Sequence, residues 1–497
     1  MGSIERDTTV DLDVVIVGAG ISGINAAYRV QTELPGYQYI ILEARDAIGG
    51  TWDLFRYPGI RSDSDLHTFG FPWRPWSKSN SIADGPSIRK YIRESAEVNG
   101  IDKKIRFQHK LLSAHWSSKT QRWTLTVDAD GEKAQLSARF IIYSTGYYDY
   151  NTPLKANIPG IEDFQGKTIH PQFWPEDYDY SGQKIIIIGS GATAITLLPN
   201  LAEKAARVTI LQRSPSYIMA LPAVDATGEF IRKWFPAWFA HTIVRWKFLI
   251  LPFIFFQFCR AFPNAARKII QGNTKRQLGK CNIPIDPNFK PAYNPWEQRL
   301  CVCPDGDFFK ALHRGNADMV TDTIKTVTAH GITTTSGKTI DADVIITATG
   351  LKMLLAGGSQ ITVDSKHIDV STKYVWKGVM LQDVPNAAIV IGYTNASWTL
   401  GADATARLVC RLLKQMDGKK DGAVTPTIEP DLKMRMRPSP MLNLNSTYIE
   451  KAKGELPKSG DVAPWKPRSN YLSDYWVAGY GDLRDGLRFS KMLKKVD

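Results

Sequence analysis

Asp13-Val-Val-Ile-Val-Gly18-Ala-Gly20-Ile-Ser22-Gly23 and Lys184-Ile-Ile-Ile-Ile-Gly189-Ser190-Gly191-Ala192-Thr193-Ala194 each run a β-branched stretch into a glycine-rich turn and then into an alanine- and leucine-rich segment. That order of residue types suits a phosphate cradle. The first glycine permits a tight turn, the second lets a pyrophosphate approach the backbone, and the third small residue lets helix and strand pack closely. The following helix offers unpaired N–H groups and a partial positive charge to the phosphates. Past the first loop, Tyr39-Ile-Ile-Leu-Glu43 ends in an acid placed to hold a ribose hydroxyl. Past the second, Arg207-Val-Thr-Ile-Leu-Gln212 ends in Arg213-Ser214, which suits a 2′-phosphate. The first site therefore reads as the adenosine half of FAD and the second as NADPH in preference to NADH. Two such sites in one chain imply hydride transfer from nicotinamide to flavin, because flavin supplies redox chemistry that side chains lack.

The elements that position these loops read as two parallel sheets buried on both faces. Phe140-Ile-Ile-Tyr-Ser-Thr145-Gly146 and Asp343-Val-Ile-Ile-Thr-Ala-Thr349-Gly350 read as points where the chain crosses between nucleotide domains. The expected fold is α/β, with two Rossmann-type dinucleotide-binding domains. An FAD domain is split into residues 1–150 and 341–497, and an NADPH domain spans 151–340. Inside the second, about 218–298 turns aromatic, helical and proline-punctuated. This helical insert is expected to form an apolar substrate wall, with a membrane-surface face as the alternative.

Composition narrows the setting. With 497 residues, 43% of them hydrophobic and 22% charged, the chain is a packed protein of roughly three domains. A net charge of +13 favours anionic partners. Cys259, Cys281, Cys301, Cys303 and Cys410 form neither a disulfide framework nor a zinc site, so no metal is expected. No export or lipid signal is read in Met1–Arg6, and the apolar run 248–256 is less than half of the ~20 residues a spanning helix needs. A cytoplasmic setting follows, with peripheral membrane contact left open. Nucleic acid is not expected, since Lys419-Lys420 sits in a turn and no binding motif accompanies it.

Two further motifs are specific. Phe164-Gln-Gly166-Lys-Thr-Ile-His170-Pro-Gln-Phe-Trp174-Pro175 fits FxGxxxHxxxW[PD], and Gly49-Gly50-Thr51-Trp52-Asp53-Leu54-Phe-Arg-Tyr57-Pro-Gly-Ile-Arg61-Ser62-Asp63 lies between the first loop and that fingerprint. Together they resemble the Baeyer–Villiger monooxygenases, class B flavoprotein monooxygenases. Tyr293-Asn-Pro-Trp-Glu-Gln298-Arg299 and Gly392-Tyr-Thr-Asn-Ala-Ser-Trp398-Thr extend the resemblance to the short branch that includes the ethionamide-activating monooxygenase.

The resemblance implies an NADPH- and O2-dependent enzyme that converts an apolar ketone to an ester or lactone through a C4a-peroxyflavin. Such chemistry needs a fixed cation against peroxide and oxyanion in a place with little water. By motif position Arg299 resembles the catalytic arginine and Asp63 the acid that holds it. Without the motif, Asp63 in Ser62-Asp63-Ser64-Asp65 reads as a loop-capping residue. Thr51 and Trp52 are implied to lie along the flavin, and Gly50, Asp53, Leu54, Arg61, Ser62, Asp63 and Leu111 to belong to the cofactor-binding set. His170 and Trp174 are implied to act in domain movement. Gln298 stands where longer members carry a lysine for the 2′-phosphate, leaving that recognition to Arg213. A sulfur- or nitrogen-oxidising flavin monooxygenase is the alternative on the same scaffold, followed by a non-catalytic flavoprotein. The native substrate and the oligomeric state are not legible from these motifs.

Overall fold

The computed structural model describes residues 11–442, 447–452, 454–468 and 470–493, so the N-terminal residues read for signals lie outside it. Asp11–Val17 is completely apolar from Val14 to Val17 and pairs in parallel with Tyr39–Leu42 on one side and Glu132–Tyr143 on the other. It is an inner strand of a nine-stranded sheet, third from one edge. An antiparallel meander, His109–Ser117, Arg122–Ala129 and Glu132–Tyr143, widens that sheet, and Ala387–Ile389 returns to pair in parallel with Glu132–Tyr143. The long helix Trp398–Lys419 buries Leu408, Val409 and Leu412 in one core with Ile16, Ile24 and Ala27. Residues about 380 positions apart thus share one apolar interior.

The second sheet is wholly parallel, in the order Ala317–Thr321, Arg207–Gln212, Lys184–Ile188, Val344–Thr347, Lys167–Ile169. One boundary differs from the sequence reading: Val344–Thr347 pairs with Lys184–Ile188 in this sheet, so the return crossing follows Thr347. The two crossings are tied together. Asp149 N–H donates to the Lys352 carbonyl at 2.8 Å, and Lys352 Nζ donates back to Asp149 Oδ2 at 3.1 Å.

The insert is helical, with Ala226–Trp234, Ala237–Ala261 and Pro263–Leu278 leaving and re-entering through the parallel pair Ile218–Leu221 and Cys301–Pro304. Ala237–Ala261 is continuous over 25 residues and is long and apolar enough to cross a membrane, which the nine-residue run did not show. Arg245 of this helix donates to the carbonyls of His67 and Gly70 at 2.7 and 3.0 Å, anchoring it to the short helix Leu66–Phe69.

Under that anchor His67 is 6% exposed with its ring 5.0 Å from Phe248. Burial, assisted by the Arg232 charge, holds its pKa down to about 4. The unfolded chain takes up the proton first as pH falls below the ordinary histidine value of ~6.5, so stability drops through this window and is fully retained above it. We expect urea unfolding of His67→Leu to lose roughly 2 kcal/mol of the difference in stability that the parent chain shows between pH 7 and pH 5. An unchanged difference would reject the assignment.

Candidate active site

Both glycine loops open onto one cavity of about 970 Å³ between the two sheets. Its wall contains Gly18, Gly20 and Ser22 of the first loop, and Gly189, Ser190, Gly191, Ala192 and Thr193 of the second. Glu43, Gly50, Thr51, Trp52, Arg61, Ser62, Asp63 and Leu111 join it from the first unit, and Arg213, Ser214, Gln298, Arg299 and His170 from the second. Five expected site residues lie behind that wall: Gly23, Asp53, Leu54, Ala194 and Trp174.

The glycines divide the labour. Gly18 has φ +103°, and a Cβ there would meet the Ser144 carbonyl oxygen at 2.7 Å. Gly189 repeats the arrangement at φ +138°, with Ala348 O at 2.3 Å. In each sheet the loop therefore presses on the strand exit where the chain crosses over. A Cβ on Gly23 would fall 1.8 Å from Gly18 O, which makes Gly23 a packing position, and Ala194 shows that the second loop accommodates a methyl there. Gly20 and Gly191 are the open positions: the nearest backbone is 3.6 Å away at Gly20, and nothing lies within 4 Å at Gly191. Both following helices, Ile21–Glu33 and Ala192–Leu201, start without a side-chain cap, so their first N–H groups are left for an anion.

Glu43 is buried and accepts the N–H groups of Ala19 at 2.7 Å and Arg45 at 2.9 Å. Burial raises its carboxyl above the usual range, against the pull of those donors. Asp53 is 4% exposed and faces away from the cavity to bind Arg45, Arg56 and Arg89, with Arg56 at 3.0 Å and Arg89 at 3.1 Å. It braces the signature loop. Leu54 packs into the second sheet's core with Phe55 and Tyr57, so one loop carries side chains into both units. Tyr57 also hydrogen-bonds Thr193, and burial pushes its phenol up to about 12.

Arg299 and Asp63, 236 residues apart, meet in a two-point contact: Nε to Oδ2 at 3.1 Å and Nη2 to Oδ1 at 3.1 Å. A planar fork on a carboxylate fixes orientation as well as distance. Arg61 makes a second such pair with Asp307. The capping role belongs to Asp65, which accepts from Thr68 N–H at 2.7 Å at the start of Leu66–Phe69, while Asp63 is left for Arg299. His170 lines the cavity and accepts the Gln172 N–H on Nδ1 at 3.3 Å; burial lowers its pKa and the Gly350 carbonyl opposes this. Trp174 packs edge-on against Tyr180 behind the wall.

The sequence reading gave no role to an aromatic wall of Phe69, Tyr147, Tyr393 and Trp398. Tyr147 and Trp398 stack at 4.9 Å, and Trp398 Nε1 donates to Ser22 Oγ at 2.8 Å, joining this wall to the first glycine loop. Trp398 sits in the quoted Gly392–Thr399 motif, which was the available signal. The insert, in contrast, supplies no aromatic wall: only Gln298, at its very end, lines the cavity.

The family profile described as pyridine nucleotide-disulphide oxidoreductase matches residues 15–220. All five cysteines lie outside that stretch and are free thiols, with Cys301 and Cys303 both buried, so the match concerns the nucleotide scaffold. An FAD-containing monooxygenase, EthA, of Mycolicibacterium smegmatis is 48% identical over 485 residues, covering 97% of this chain and 98% of the relative. A probable FAD-binding monooxygenase, AlmA, of Acinetobacter baylyi is 43% identical, covering 98% and 97%. Among solved structures, oxidized steroid monooxygenase bound to NADP and an open form of cyclohexanone monooxygenase each superpose with a TM-score of 0.73 at 20% identity, over 97% of this chain and 100% of the other.

Proposed function

Because the chain belongs to the FAD-containing monooxygenases, we propose that it uses NADPH and O2 to convert an apolar ketone to an ester or lactone. The single observation that carries this reading is the Arg299–Asp63 fork in the wall of a cavity shared by both glycine loops. The residues fit the two nucleotides: Gly20 and Gly191 leave room for a diphosphate against uncapped helix starts. Glu43 would take the FAD ribose, Thr51, Trp52 and Leu111 the flavin side, and Arg213 with Ser190 and Ser214 the NADPH side. Bound FAD supplies two-electron reduction by NADPH and activation of O2.

The protein's own contribution is electrostatic. Arg299 stays charged at any working pH, and Asp63 holds its plane so that no reorganisation is needed as negative charge grows on the attacked carbonyl oxygen. The aromatic wall of Phe69, Tyr147, Tyr393 and Trp398 excludes water and favours an apolar ketone. One oxygen atom enters between the carbonyl carbon and the migrating carbon. The other leaves as water, with electrons from NADPH and protons from NADPH and solvent.

Turnover of a ketone panel with NADPH in air, followed by product mass, tests this. A gain of one oxygen with a new ester or lactone supports it; sulfoxides or N-oxides with untouched ketones would favour the heteroatom reading, and no NADPH consumption would leave a non-catalytic flavoprotein. A second test concerns the nucleotide. Loss of a charge-assisted contact is worth about 1.5–3 kcal/mol, so Arg213→Ala should raise KM for NADPH by roughly 10- to 100-fold and leave KM for NADH little changed. Equal losses for both would remove Arg213 from 2′-phosphate recognition.

A further inference from the structure

We infer that the insert docks the enzyme onto an anionic lipid surface, lying in the plane of the bilayer through the outer face of the helix Ala237–Ala261. Trp238, Trp246, Ile250 and Ile254 recur at four- and eight-residue spacing, which places them on one stripe of the helix. With Trp234 and Leu251 they are 41% to 73% exposed, and none lines the cavity. Only 17% of the helix's most apolar window is buried, so its apolar character is not a core property. The neighbouring helix Tyr471–Tyr480, whose Tyr471 hydroxyl donates to the Leu249 carbonyl, brings the exposed Trp476 and Tyr480. Amphipathic rings with an apolar body and a polar N–H or O–H are the residues that settle at a membrane–water boundary.

Charge says what covers this face. Residues 230–285 contain ten lysines and arginines and no aspartate or glutamate, so they carry most of the net +13. Lys233, Arg260, Lys268, Lys275, Arg276 and Lys280 are exposed. A second copy of the chain would bring an identical set of cations against these, which is unfavourable for a dimer. An anionic headgroup layer is complementary to them, at about 1 kcal/mol per basic residue near the surface.

The helix lies on the bilayer and does not cross it. At about 1.5 Å per residue it is long enough to span, but Arg245 is committed to the His67 and Gly70 carbonyls and Lys247 to Asp225. Ala240, Val244 and Cys259 are buried against the protein. Crossing would strip both cations of these partners and place them in hydrocarbon. Docking leaves them in place and immerses only the outer stripe.

Flotation of the FAD-loaded full chain with phosphatidylcholine vesicles, with and without about 30% phosphatidylglycerol, tests the inference. The chain should float with the anionic vesicles and be released by high salt. Trp238→Glu/Trp246→Glu should lower the bound fraction roughly tenfold or more, with flavin content and NADPH oxidation unchanged. Quenching of tryptophan fluorescence by bromolipids in the parent chain gives a readout that does not depend on the variant folding. Failure to float with either vesicle, or a self-associating chain whose dimer is abolished by the double variant while lipid binding is nil, would overturn it.

Discussion

Arg299→Ala is expected to lower ester formation by roughly 10³-fold while changing anaerobic reduction of the bound flavin by NADPH no more than about threefold. The asymmetry follows from where the charge would be used. In the proposed reaction, hydride transfer would move charge between cofactors held at the glycine loops, whereas carbonyl attack would create a new oxyanion, and Arg299 lines the cavity into which both loops open. Loss of one preorganised donor is worth about 3–4 kcal/mol where bound cofactors and substrate exclude water, and less while the Arg299 side chain is 41% exposed and screened by solvent. Arg299→Lys should recover only part of the loss, because an ammonium cannot make the two-point contact with Asp63. Asp63→Asn keeps the shape but weakens that clamp, and should fall between parent and Arg299→Ala. Stopped-flow absorbance of the flavin band and ester quantified by mass spectrometry separate the two half-reactions. Lost reduction with normal oxygenation would reject the role.

Local signals made the cradle legible. A β-branched run ending in glycine defines its own turn, so Gly18, Gly189 and the acid at Glu43 could be placed from spacing alone. The Arg299–Asp63 contact spans 236 residues, and only resemblance to a family put the two together. Adjacency misled at Asp53 and Leu54. In the helical turn Thr51–Leu54 each residue rotates about 100° from the last, so Thr51 and Trp52 face the cavity while Asp53 turns to three arginines. Aromatic composition also misled in the insert, because it reports apolar surface without saying which way that surface faces. The run 248–256 looked short because Lys247 and Arg245 interrupt the apolar pattern, yet both point to polar partners on the protein side and the helix continues through them.

Gly191→Ala should separate nucleotide approach from folding. Gly191 caps its helix at φ −81° and ψ −178°, an extended conformation open to any residue, and an added Cβ meets nothing within 4 Å. Stability should therefore stay within about 0.5 kcal/mol of the parent, and FAD content should not change. A methyl on the cavity wall nevertheless keeps a diphosphate from hydrogen-bond distance of the backbone. KM for NADPH should rise by roughly 10- to 100-fold, the loss of one or two charge-assisted contacts. Gly189→Ala supplies the contrast, since at φ +138° its Cβ would lie 2.3 Å from the Ala348 carbonyl oxygen and the strand exit itself must shift. That change should destabilise the chain by about 3 kcal/mol or more, visible as a lower melting temperature before any nucleotide is added. Two alanines two residues apart would then fail in different experiments, one in binding and one in folding. A parent-like KM in Gly191→Ala would mean that NADPH does not lie across this loop.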